Sequence, residues 1–131
     1  MKYLLDTNIC IHWIQGRDLK LRDKIISTPL DELVLCSPVK AELYYGAKNS
    51  AKRFENEQVL ARFFAPIKSL PFDDQSSVFY GELRTHLRAQ GQPIGNQDLM
   101  IASIAHQHQL TLVTRDVLDF KMIPLLKIEE W

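Results

Sequence analysis

Short apolar runs, each separated from the next by a stretch with helical spacing, constrain this chain more than any other feature of its sequence. The runs fall at residues 2–5, 33–36, 67–71, 110–113 and 126–128. Between them, residues 9–15, 19–27, 50–65, 73–90 and 97–109 read as helices, and another opens at Ser37-Pro38 with Val39, Leu43, Tyr44 and Ala47 at helical spacing. Ser37 is the expected cap of that helix, with Pro38 at its first position, and Asn96 the expected cap of the helix over 97–109. Thr28-Pro29 and Pro66 end two of the helices, and Gly91-Gln92-Pro93-Ile94-Gly95 reads as a loop. Strands alternating with helices predict an α/β fold with a central, mostly parallel sheet and helices on both faces. At 131 residues, 46% hydrophobic and 24% charged, the chain suits one globular domain over its whole length.

In a parallel sheet with right-handed crossovers, every strand-to-helix loop opens on one edge, where ligands of open α/β sheets bind. Asp6 ends the first apolar run, and Asp116 follows the fourth. Glu42 lies in the early turns of the helix after residues 33–36, and Asp98 in the first turn of the helix that follows Asn96. Each acid has an ordinary explanation when taken singly. Turns favour Asp, and a first-turn Asp interacts favourably with the helix dipole. The convergence of all four on one rim is what points to a site.

Carboxylates held together repel and raise one another's pKa, so a protein that gathers several usually offsets them with a cation. Oxygen-only ligands select a hard ion, Mg²⁺ or Mn²⁺. The chemistry that follows is metal-assisted hydrolysis of a phosphodiester, in which the ion lowers the pKa of a bound water. The four histidines and two cysteines show no zinc spacing.

The stretches "YLLDTN", "SPVKAELYYG", "IGNQDLMIASIA" and "LVTRDVLDF" follow the order and spacing of the PIN-domain family. With the overall length and the closing "LLKIEEW", the chain resembles the family's VapC-type toxins in particular. The resemblance covers essentially the whole chain and implies a three-layer α/β/α fold, metal-dependent ribonuclease activity and a VapB-like antitoxin partner. It implies that Asp6 and Asp98 are the principal metal ligands. Glu42 would orient a metal-bound water or steady a ligand, and Asp116 would complete the pocket. Many relatives carry Asn at the position of Asp116 and an acid at that of Asp119, so the fourth acidic role would fall to Asp116, to Asp119 or to both. Asn8 and Thr114 would hold the carboxylates by hydrogen bonds, although Thr114 is equally explained as a strand-end residue. Some relatives cut transfer RNA near the anticodon, which makes tRNA the first expected substrate.

Formal net charge is zero, with 16 basic and 16 acidic residues, so bulk charge does not attract RNA. Local cations must do so, and the candidates are Lys40, Lys48, Lys52, Arg53, Arg84, Arg88 and Arg115, the last favoured because it adjoins Asp116. The resemblance places homodimer contacts on the helices around Tyr44 to Phe64. An antitoxin segment would lie over the acids in a toxin–antitoxin hetero-oligomer and bring an Arg to them. Cys10 and Cys36 sit in or beside apolar runs and read as buried thiols. With no signal-peptide pattern and no membrane-length apolar window, the expectation is a cytoplasmic protein. Two other functions fit less well. A haloacid-dehalogenase-like phosphatase needs a second Asp where this chain has Asn8, and a non-catalytic PIN-like interaction module does not need all four acids.

Overall fold

The computed structural model describes residues 1–92 and 94–131. Five strands, β1 (Tyr3–Leu5), β2 (Leu33–Cys36), β3 (Lys68–Leu70), β4 (Thr111–Val113) and β5 (Lys127–Glu129), form one sheet in the order β3-β2-β1-β4-β5. Every pairing is parallel. The expected α/β class is therefore observed. Every residue of β1 and β2 is buried, whereas the edge strands β3 and β5 are partly exposed. Central parallel strands are covered on both faces, which is why "YLL" and "LVLC" are continuously apolar instead of alternating.

Among the described residues seven helices connect the strands: α1 (Thr7–Gln15), α2 (Leu19–Ile26), α3 (Ser37–Lys48), α4 (Arg53–Phe64), α5 (Asp74–Ala89), α6 (Asn96–Gln107) and α7 (Val117–Phe120). Strand order runs outward from β1 in both directions, so right-handed crossovers send α1–α4 to one face and α5–α7 to the other. The packing agrees, with α1 against α2 and α3, α3 against α4, and α5 against α6. Leu4, Leu5, Leu35, Leu112, Ile101 and Phe120 are fully buried in the core between the layers, each contributing roughly 1.5–3 kcal/mol by burial.

Several element boundaries differ from expectation, each for a local reason. Helix α1 begins at Thr7, two residues early, because the Asp6 carboxylate caps it by accepting the Thr7 N–H. Ser37 is the first helical residue of α3 and not its cap. Cys36 holds that position, and Ser37 Oγ donates to the Leu70 carbonyl at 3.5 Å. Asn96 is likewise inside α6, with Gly95 as the cap. Helix α4 starts at Arg53, since Ser50 Oγ donates back to the Ala47 carbonyl and ties residues 50–52 into a turn. A 3₁₀ helix at Leu30–Glu32 and the short α7 were not foreseen. In the loop after α5, Gly91 has φ of +66°, the left-handed conformation that lets the Gln92 N–H reach the Leu87 carbonyl and close the helix end. Pro93, part of that expected loop, lies outside the described residues. Cys10 and Cys36 are free and buried. Among the described residues no helix is long and apolar enough to cross a membrane.

Candidate active site at the carboxyl ends of the strands

The strand order reverses between β1 and β4, and the crevice outside the carboxyl ends at such a reversal is where open α/β sheets bind ligands. Asp6 leaves β1 at this point, and Thr114 leaves β4 beside it. The Asp6 N–H donates to the Val113 carbonyl at 2.9 Å and continues the ladder one residue beyond the strand. The Asp6 side chain is 3% exposed. Oδ1 accepts the Thr7 N–H at 2.8 Å, and Oδ2 accepts the Thr114 hydroxyl at 2.7 Å. Burial raises the Asp6 pKa, the two hydrogen bonds oppose this, and the charges of Asp116 and Glu42 reinforce it, so the net shift is upward.

Thr114 also accepts the Asp116 N–H at 3.0 Å, so one buried hydroxyl orders both acids. Asn8 Nδ2 donates to Asp116 Oδ2 at 3.3 Å. Asn8 and Thr114, read from the sequence as supporting residues, thus each hydrogen-bond to one of these acids. Asp98 is half-buried in the first turn of α6. A helix N-terminus normally favours an ionised Asp. Here the Asp98 pKa is instead raised to about 6, first by burial, then by the charges of Asp6, Glu42, Asp116 and Asp119. The same field, after burial, helps push the Cys36 thiol up to about 12 through Asp6 and Glu42.

Gln97 holds these elements in register. Its Nε2 donates to the Pro38 carbonyl at 2.5 Å, joining the start of α6 to the start of α3, which carries Glu42. Nothing in the sequence singled Gln97 out, because a glutamine beside a helix start has no distinguishing pattern. Asp119 sits exposed on α7 and takes part through its charge on Asp98. Arg115 is engaged elsewhere. Its guanidinium donates to the Asp18 carboxylate, and its Nε donates to the Trp131 carbonyl at 3.1 Å.

The five acids share one electrostatic field, yet among the described residues no group of three or more His, Cys, Asp or Glu side chains converges closely enough to hold an ion as the side chains lie. Coulombic coupling reaches farther than a coordination bond, so the two observations are compatible. In donor chemistry the set fits a hard divalent cation: oxygen only, mutually repelling, and with one member protonating near pH 6.

Comparison with known proteins follows the same lines. The PIN domain family matches residues 3–122. The ribonuclease VapC2 of Rickettsia felis is 39% identical over all of this chain and 98% of its own length. The tRNA(fMet)-specific endonuclease VapC of Salmonella typhimurium is 32% identical over all of this chain and 98% of its own. Among solved structures, VapBC2 from Rickettsia felis bound to a promoter DNA fragment superposes with a TM-score of 0.91 at 37% identity, covering 100% of this chain and 99% of that one. DNA-bound VapBC from Salmonella typhimurium gives a TM-score of 0.94 at 32% identity, covering 100% and 98%. The chain belongs to the PIN-domain family, as a close relative of the VapC-type toxins of toxin–antitoxin systems, with a nuclease-type function.

Proposed function

We propose that this chain is a Mg²⁺- or Mn²⁺-dependent endoribonuclease and the toxin partner of a VapB-like antitoxin, with transfer RNA as its first candidate substrate. The observation that carries the reading is the Asp6 carboxylate, held through both oxygens by Thr7 and Thr114 at the reversal of strand order in a PIN-family chain. Burial and the charges of Asp6, Glu42, Asp116 and Asp119 together lift a carboxyl that its helix position alone would lower. The relative named for tRNA(fMet) motivates the substrate.

Asp6 and Asp98 would hold the ion, with Asp116 and Asp119 completing the negative field. The ion supplies Lewis acidity toward the phosphoryl group when bound. Asp6 is already fixed through both oxygens by Thr7 and Thr114. Its carboxylate therefore needs little reordering as charge develops. Glu42 would accept a hydrogen bond from the attacking water and take up its proton as the water oxygen bonds to phosphorus and the phosphorus–oxygen bond to the leaving strand breaks, the leaving ribose oxygen taking a proton from solvent. Asn8 keeps Asp116 turned toward β1.

An antitoxin segment occupies the groove between α1, α3 and α4, a cavity of about 360 Å³ lined by Ile11, Ile14, Glu42, Leu43, Val59 and Leu60 among others. Solved VapBC complexes of relatives motivate this partner and a hetero-oligomer. The exposed Tyr44, Tyr45 and Phe54 suit a homodimer contact. A cytoplasmic location belongs to the same proposal.

One other reading is a PIN-like interaction module without catalysis. Purified protein incubated with total tRNA, in Mn²⁺, in Mg²⁺ and in chelator, separates the two. The nuclease cuts only with metal and loses activity in Asp98→Asn. Metal-dependent stabilisation without cleavage of any RNA would favour the module, and release of phosphate from a small monoester would favour a phosphatase.

A further inference from the structure

A second cavity, of about 430 Å³, lies at the end of α5 and is lined by Arg84, Leu87, Arg88, Gly91, Gln92, Ile94 and Asn96. Two guanidiniums and no acid line it. Among the described residues neither arginine is paired with a carboxylate, whereas Arg115, Arg53 and Lys48 all are. Arg84 is also positioned: its Nη1 donates to the Tyr80 hydroxyl at 3.1 Å, and that hydroxyl donates to Asn96 Oδ1 at 3.2 Å. Its guanidinium lies 5.9 Å from the Tyr80 ring centroid. Asn96 opens α6, and Asp98 follows two residues later, about 3 Å of helix rise. Two residues also turn roughly 200° about the axis, so the cationic cavity and a principal acid flank the same helix start from opposite sides. Leu87 is buried and Ile94 half-buried, which gives the cavity an apolar side as well.

We infer that this cavity is the docking site for the sugar-phosphate backbone of the RNA next to the bond that is cut. The inference rests on the nuclease reading and supplies what a chain of zero net charge lacks, a local anchor for a polyanion. Arg84 and Arg88 bind phosphates as planar forks, and the apolar side accommodates a base or sugar face. Arg84 and Arg88 are positioning residues that act on substrate binding and not on bond breaking.

The test is binding of a fluorescein-labelled RNA stem-loop in chelator, where cleavage does not interfere, across a salt series. The double variant Arg84→Gln/Arg88→Gln should weaken binding at least tenfold and flatten the dependence of log affinity on log salt by about 1.4, two contacts at roughly 0.7 each. Arg84→Lys/Arg88→Lys should restore most of the salt slope, which a merely structural loss would not do. Lys20→Gln/Arg22→Gln removes the same charge from exposed positions on α2 and should change the slope little. Equal losses in both Gln pairs would overturn the inference in favour of bulk charge. Unchanged RNA binding with lost affinity for a polyglutamate peptide would overturn it in favour of an acidic protein partner. Unchanged RNA affinity in the double variant while the wild type still binds and cleaves RNA would overturn it alone. A wild type that neither binds nor cleaves RNA would overturn it together with the nuclease reading.

Discussion

Thr114 donates its hydroxyl to Asp6 Oδ2 at 2.7 Å, joining two buried groups that lie 108 positions apart in sequence. The bond spans the reversal of strand order between β1 and β4. It makes the orientation of the innermost acid depend on the side chain that ends another strand. Replacing Thr114 by Val keeps the shape and removes the hydroxyl. We expect a loss of stability of about 1–3 kcal/mol from the unsatisfied buried carboxylate. The bond also holds the Asp6 pKa down, so its loss raises that pKa further and moves the acidic limb of the cleavage profile to higher pH. Thr114→Ser should recover both properties. Denaturant melts and a pH–rate series check the outcome, and a Val variant with wild-type behaviour would make Thr114 only a strand end.

Glu42→Gln retains size and helix propensity while removing the charge. If Glu42 takes the proton of the attacking water, cleavage should slow by roughly 10²–10⁴-fold with RNA affinity nearly unchanged. Single-turnover cleavage alongside binding in chelator measures the two separately.

Asp98 gives opposite signs with and without metal. Its folded pKa of about 6 lies above the unfolded value near 4, so the folded protein binds the extra proton. Stability should therefore fall as pH rises from about 4 to 6, and Asp98→Asn should flatten that slope. At neutral pH the metal-free variant should melt higher than wild type. Mn²⁺ in hundredfold excess over its dissociation constant stabilises the wild type by about 2.7 kcal/mol, and the variant should gain much less. Thermal melts in chelator and in Mn²⁺ read both effects. No metal-dependent rise in the wild type would argue against a shared ion.

Asp6→Asn should abolish cleavage while far-UV circular dichroism stays unchanged, because the amide oxygen can still accept the Thr7 N–H and the amide NH2 can donate to the Thr114 hydroxyl, but the side chain carries no charge for the ion. A folded, fully active variant would remove Asp6 from the ligand set.

Arg115→Gln tests the opposite kind of role. The Arg115 guanidinium holds the Asp18 carboxyl below its usual pKa, and it anchors the Trp131 carbonyl. A depressed carboxylate contributes stability above its unfolded pKa and loses it as pH falls. Arg115→Gln should thus lower the melting temperature at neutral pH, with the difference from wild type shrinking below about pH 4. RNA affinity should change less than in the Arg84/Arg88 variant.

The parts of this fold that were legible in the sequence are those written as local pattern. "YLLD" and "LVLC" declared buried parallel strands because burial on both faces demands continuous apolar residues. Asp6, Glu42, Asp98 and Asp116 were placed on one rim by topology alone, and in the structure the charges of the other three act on Asp98. Cap positions were less legible. Ser37 and Asn96 have the chemistry of caps, but their side chains bond to the Leu70 carbonyl and the Tyr80 hydroxyl instead. The partner of Arg115 was illegible for a similar reason, since adjacency to Asp116 in sequence says nothing of Asp18, 97 positions away. Tertiary partners decide such cases, and no short window contains them.

The order of the strands also governs when the acidic edge can exist. β1 is made early, but it pairs on one side with β4, whose residues are Thr111–Val113. Such long-range parallel pairing closes late, because loop entropy must be overcome before the contacts form. A nascent chain still on the ribosome and lacking β4 would have Asp6 without Thr114, and no second wall to the crevice. Synthesis interrupted before that strand releases a polypeptide bearing three of the principal acids and no place to use them. Chain order alone thus leaves the acidic edge unbuilt until residues 111–114 have been made and paired with β1.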